Sequence, residues 1–79
     1  MPYNRKAFGV VISRMRVQKN LTQEQLAKSA SIARSHLVAL ENGEKVARLD
    51  TVWRIAEALK VKPSDLIRNM EIESGYIEH

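Results

Sequence analysis

The chain has 79 residues, 44% of them hydrophobic, 28% charged and 5% aromatic, with a formal net charge of +4. That size excludes folds built from two domains around a large cleft, and the absence of cysteine excludes disulfides, thiolate metal sites and a cysteine nucleophile. A domain this small, without a covalent or metal staple, must draw its stability from tight helix packing, from dimerisation, or from both.

Caps and apolar spacing predict five helices. The first spans about 5–19, with Asn4 as N-cap, Tyr3 and Phe8 spaced as a hydrophobic staple, and Phe8, Val11, Ile12 and Met15 on one face. Asn20 is its expected stop, because asparagine tolerates the left-handed conformation better than most residues. The second helix, about 23–29, opens on a capping box, Thr22-Gln23-Glu24-Gln25, with Leu21 and Leu26 as its staple. The third, about 34–41, is entered through Ile32 and stopped by Asn42-Gly43. Its N-cap position falls on Ala33, a poor capping residue that costs about 1 kcal/mol against serine.

Leu49, Val52, Ile55, Ala56 and Leu59 mark a fourth helix, about 49–60, with Asp50 and Thr51 in its first turn. Pro63, at a first helical position, starts a fifth that is expected to reach about Met70. These divide the chain into a domain over 1–70 and an acidic tail over 71–79, either frayed or adding a short strand across a dimer.

Charge is unevenly spread. Residues 1–20 carry Arg5, Lys6, Arg14, Arg16 and Lys19 and no acid, whereas 69–79 carry Glu71, Glu73 and Glu78 and no lysine or arginine. A basic body with an acidic end suits a polyanionic partner, nucleic acid first, although an excess of lysine and arginine also serves solubility alone.

Two short helices joined by a tight turn, Gln23 to Glu41, have the dimensions of a helix-turn-helix. The ordered string Leu21-Thr22-Gln23-Glu24-Gln25-Leu26-Ala27, Ala30-Ser31-Ile32, Leu37, Leu40-Glu41-Asn42-Gly43 and Ile55-Ala56-Glu57-Ala58-Leu59 resembles the lambda-repressor-like family of XRE-type helix-turn-helix proteins over about residues 8–68. The resemblance implies an all-α, five-helix DNA-binding domain acting as a dimer on a palindromic operator, with the third helix in the major groove. It also implies a recognition helix beginning at Arg34, with Arg34, Ser35, His36 and Ala39 facing outward as base contacts and Leu37 and Leu40 facing the core. Arg34 is the leading specificity residue, since a guanidinium can clamp guanine O6 and N7 with two bonds; a phosphate contact and a solvated arginine are the other readings. Ala39, without a polar atom, could meet only a thymine methyl or leave room.

Phosphate contacts are expected from Gln23 at the start of the second helix and from Asn42, Lys45 and Arg48 after the third, with Arg14 and Lys19 as weaker candidates. By the same resemblance Arg16 and Glu41 form a partly buried structural pair. The sequence departs from the family pattern at Ser31, where glycine is usual, at Ala33, where serine or threonine caps, and at Arg48, where serine is frequent. Those departures suggest a less rigid recognition helix.

Trp53 sits at the margin of the fourth helix's apolar stripe. It is either an interface residue, with Ile67, Met70 and Ile72 extending the patch of a homodimer, or a cap on the small core. Nothing points to catalysis. Ser35 and His36 are adjacent on a helix and point about 100° apart, too far to act as nucleophile and base. His36 and His79 are the only histidines, and no carboxylate spacing suits a metal cage. The expectation is therefore a non-enzymatic protein with no cofactor, no small-molecule ligand and double-stranded DNA as partner. No membrane span is expected, nor a secretory signal in the opening MPYNRKAFGVV, which makes the cytoplasm the simplest location. The competing reading is a helix-turn-helix protein-interaction module, such as an antitoxin or bridging component.

Overall fold

The computed structural model describes residues 4–75, which form five helices and, among the described residues, no strand: α1 Arg5–Gln18, α2 Gln23–Ser29, α3 Arg34–Glu41, α4 Leu49–Ala58 and α5 Pro63–Ser74. None is long and apolar enough to cross a membrane. At α1 and α2 the expected starts follow from the caps. Asn4 Oδ1 accepts from the Lys6 and Ala7 N–H groups at 3.0 and 3.1 Å. The Tyr3 half of the staple lies outside the described residues. At α2 both halves of the capping box are made: the Gln25 N–H donates to Thr22 Oγ1 at 3.0 Å, and the Thr22 N–H donates to Gln25 Oε1 at 2.8 Å. Ala33 and Arg48 occupy the N-caps of α3 and α4 without a side-chain hydrogen bond.

The ends of α1, α2, α3 and α4 share one device. Each chain turns through a left-handed residue, Asn20, Ser31, Gly43 and Lys60 respectively, at φ between 58° and 73°. The following N–H then donates back to a carbonyl five residues earlier, as from Leu21 to Arg16, Ile32 to Ala27, Glu44 to Ala39 and Val61 to Ala56. This closure satisfies carbonyls that a helix end would otherwise leave orphaned, and it drives the next segment off at a sharp angle. Asparagine and glycine suit that conformation, whereas serine and lysine do not. Ser31→Gly should therefore remove about 1 kcal/mol of backbone strain from the turn between α2 and α3. The expected thermal midpoint is roughly 4–8 °C higher, measured by circular dichroism.

α1 packs on α3 and α5, α2 on α3 and α4, and α4 on α5. The core is where these faces meet: Phe8, Val11, Ile12, Leu26, Leu37, Leu40, Ile55, Leu59 and Leu66 are fully buried, and Met15 packs partly against them. Gly9 lies where α1 crosses the end of α3; a Cβ there would come within 2.6 Å of the Leu40 carbonyl oxygen.

Leu49, one of the apolar residues that mark the fourth helix, is 70% exposed, because it is the first residue of α4 and precedes the turn that meets the core. Two expectations are corrected. α4 stops at Ala58, with Lys60 already left-handed. α5 runs a turn past Met70 to Ser74, so Glu71–Ser74 are helical, neither frayed nor extended. Half-buried Ile72 and the Glu73 carboxylate, 3.2 Å from Arg14 Nη1 on α1, give that turn tertiary partners. Residues 76–79 of the tail lie outside the described residues.

Candidate nucleic-acid interface

α2 and α3 are bolted together by one buried carboxylate. The Glu41 side chain, 4% exposed, accepts from Arg16 Nε at 2.7 Å and Nη2 at 3.1 Å, and from Gln23 Nε2 at 3.0 Å. Arg16 also donates from Nη1 to the Leu21 carbonyl oxygen at 2.8 Å. α1, the approach to α2, α2 itself and the end of α3 thus converge on Glu41, and the pair inferred from the resemblance is present with a third member. A two-pronged guanidinium–carboxylate contact fixes angle as well as distance, so the network sets how α3 stands relative to α2.

Leu37 and Leu40 are fully buried and define the inward side of α3. At about 100° per residue, Ser35, Ala39 and Asn42 then fall within about 60° of one another on the opposite side. Ser35 and Asn42 are exposed and Ala39 is half-buried. Arg34, exposed, flanks this stripe and lines a polar hollow with Arg16, Thr22, Gln23 and Glu24. His36 is half-buried and flanks the other side, further from the stripe than its grouping with Ser35 suggested. Val38, half-buried, lies nearer the stripe than His36 does, and the sequence reading passed over it. The signal was available: two leucines three apart on a short helix fix the inward direction, and Val38 falls outside it.

The residues expected at phosphates are distributed unevenly. Gln23 spends one amide N–H on Glu41, which leaves its second N–H for another acceptor. Asn42, Lys45 and Arg48 are exposed beyond the end of α3. Arg48 Nε stands 3.5 Å from Asp50 Oδ1, a loose contact between side chains 85% and 56% exposed. Arg14 is drawn to Glu73 on the α5 side, away from the α2–α3 face, and Lys19 is exposed at the end of α1.

A second surface is apolar. Trp53 is 53% exposed and stands outside the buried cluster. Leu49, one turn earlier on α4, and Ile67 on α5 at 38% exposure join it around a shallow groove that Val52 and Pro63 also line. Met70 is half-buried against the core and lines a neighbouring hollow with Ala47, Leu49 and Ile67. Leu49 was missed because a leucine at helical spacing from Val52 and Ala56 reads as core until its depth is known.

Comparison with known proteins agrees with this geometry. A family model described as helix-turn-helix matches residues 12–66. The control protein C.BamHI of Bacillus amyloliquefaciens is 34% identical over 64 residues, covering 80% of this chain and 79% of that protein. The crystal structure of the restriction-modification controller protein C.AhdI of Aeromonas hydrophila superposes with a TM-score of 0.77 at 31% identity, covering 78% of this chain and 94% of that one. The controller protein C.Esp1396I, solved as a tetramer in complex with its 35 base-pair operator, has the same fold at 20% identity, with a TM-score of 0.83 over 92% of this chain and 96% of its own.

Proposed function

The chain belongs to the helix-turn-helix family, and from that membership we propose that it is a sequence-specific DNA-binding transcriptional regulator. It acts as a homodimer on a palindromic operator, with α3 in the major groove. The observation that carries this reading is the outward stripe of α3, Ser35, Ala39 and Asn42, with Arg34 beside it and Lys45 and Arg48 following. An eight-residue helix fits the roughly 12 Å major groove. Arg34 reads a guanine edge, Ser35 and Asn42 contact bases or phosphates, and Lys45, Arg48 and the free amide N–H of Gln23 hold the backbone on either side. His36, at the edge of the stripe, is a lesser contact. The Leu49–Trp53–Ile67 surface with Met70 is the dimer contact, and a two-fold pair through it sets two recognition helices about 34 Å apart, one turn of DNA. The controller and control proteins among its relatives support the reading, and the cytoplasm is its proposed location.

Selection of bound sequences from a random duplex pool tests it, with Arg34→Ala run in parallel. The expected result is an inverted repeat with half-sites about one helical turn apart, containing a guanine whose preference relaxes in the variant by about 1–3 kcal/mol of discrimination. An enriched motif without two-fold symmetry would remove the dimer; no motif above a salt-sensitive background would remove sequence reading altogether.

A further inference from the structure

The recognition helix carries two apolar side chains that the core does not use. Val38 and Ala39 are half-buried, and neither belongs to the buried cluster or to the partly buried apolar side chains packed against it. Both lie on the side of α3 away from Leu37 and Leu40, between the exposed polar residues Ser35 and Asn42. Arg34 is exposed one turn before Val38 on the same helix, and Lys45 and Arg48 are exposed beyond its end, so the apolar pair has basic residues on either side along the chain. Such a patch matches a polyanion only where the polyanion itself presents something apolar. In the major groove that group is the C5 methyl of thymine; the other base edges offer hydrogen-bond donors and acceptors.

We infer that Val38, with Ala39 beside it, reads thymine methyl groups in each half-site. The inference rests on the reading of α3 as the DNA-contacting helix and deepens it. Val38 lies about 6 Å further along the helix axis than Arg34, so the thymine is a different base of the same half-site from the one Arg34 reads. Arg34 then supplies the polar half of the recognition and Val38 the apolar half. Val38 is a specificity residue that no hydrogen-bond count would identify.

Removing the methyl from the DNA and the side chain from the protein, separately and together, is the test. Each thymine of the operator recovered by selection is replaced singly by deoxyuridine, which lacks only that methyl, and affinity is measured for the wild type and for Val38→Ala. The expected result is one or two thymines per half-site whose replacement weakens wild-type binding about fourfold, the worth of one buried methyl. The same replacement should leave Val38→Ala binding unchanged. Equal sensitivity in both proteins would assign the methyl to another residue, and no sensitivity in either would leave Val38 without a base; both overturn the inference while the wild type still selects an operator. Failure to select any operator would instead overturn the DNA reading and this inference with it. Unaltered affinity of Val38→Ala for a non-specific duplex at low salt shows that the variant is folded and keeps its phosphate contacts.

Discussion

Glu41→Ala is expected to cost about 3–5 kcal/mol of folding stability, the penalty for stranding a buried charge. The Glu41 carboxylate receives three hydrogen bonds, two from Arg16 and one from Gln23, and the Arg16 side chain is only 15% exposed. Without Glu41 that guanidinium keeps, among the described residues, a single hydrogen-bond partner, the Leu21 carbonyl oxygen. A domain of this size holds roughly 0.05–0.15 kcal/mol per residue, so the loss consumes a large part of the total. Urea denaturation followed by circular dichroism measures it. Two companion variants separate charge from shape. Glu41→Gln keeps the side chain's outline and should fall between the wild type and Glu41→Ala. Arg16→Met combined with Glu41→Leu removes both charges and should recover part of the stability, because no charge is left unpaired, while Gln23 Nε2 and the Leu21 carbonyl oxygen still lose their partners. A double variant as unstable as Glu41→Ala would show that the contact's worth lies in its geometry.

Gly9→Ala is expected to destabilise by about 2–3 kcal/mol, reversing the sign that helix propensity alone dictates. In an ordinary helix interior the change gains about 1 kcal/mol. At Gly9 the new methyl would overlap the main-chain oxygens of Leu40 and Glu41, at 2.6 Å from the former. Those oxygens belong to the last turn of α3 and cannot swing aside as the end of a side chain would. α1 and α3 must therefore separate by on the order of 1 Å, opening the contacts of Phe8 and Ile12 with Leu37 and Leu40, an overpacking cost at the upper end of its usual range. The displaced helix is the one proposed to enter DNA, so affinity for the selected operator should fall as well, even under conditions where the variant is fully folded. Thermal melting and operator titration of the same preparation check both. A midpoint at or above that of the wild type would mean that the crossing tolerates a methyl.

These two positions differ in how far they could be read beforehand. Arg16 and Glu41 could be paired through the family resemblance alone, but the third member, Gln23, was assigned to phosphate because its place at the start of a helix says nothing about what lies 18 residues later. Gly9 carried no signal, since a glycine within an apolar face reads as a weak helix residue until a second backbone is seen above it. Arg34, Ser35, Asn42, Lys45 and Arg48 were all found as exposed residues around α3. Val38 was passed over because an apolar residue on a short amphipathic helix is assigned inward by habit.

The sequence by itself determined the number of helices, their starts and most of their stops, because caps, the capping box, Pro63 and left-handed residues act over three or four residues of local chain. It determined the motif order that marks the family, and the core faces of α1 and α3 through Phe8, Val11, Ile12, Leu37 and Leu40. Only the tertiary structure decided depth and direction: that Leu49 and Trp53 stand outside the core, that α5 continues to Ser74 with Glu73 paired to Arg14 of α1, and that Gln23 is tied to Glu41. Local chemistry specifies how a segment begins and ends, but whether a side chain at its surface meets solvent, core or another helix depends on where distant segments are packed.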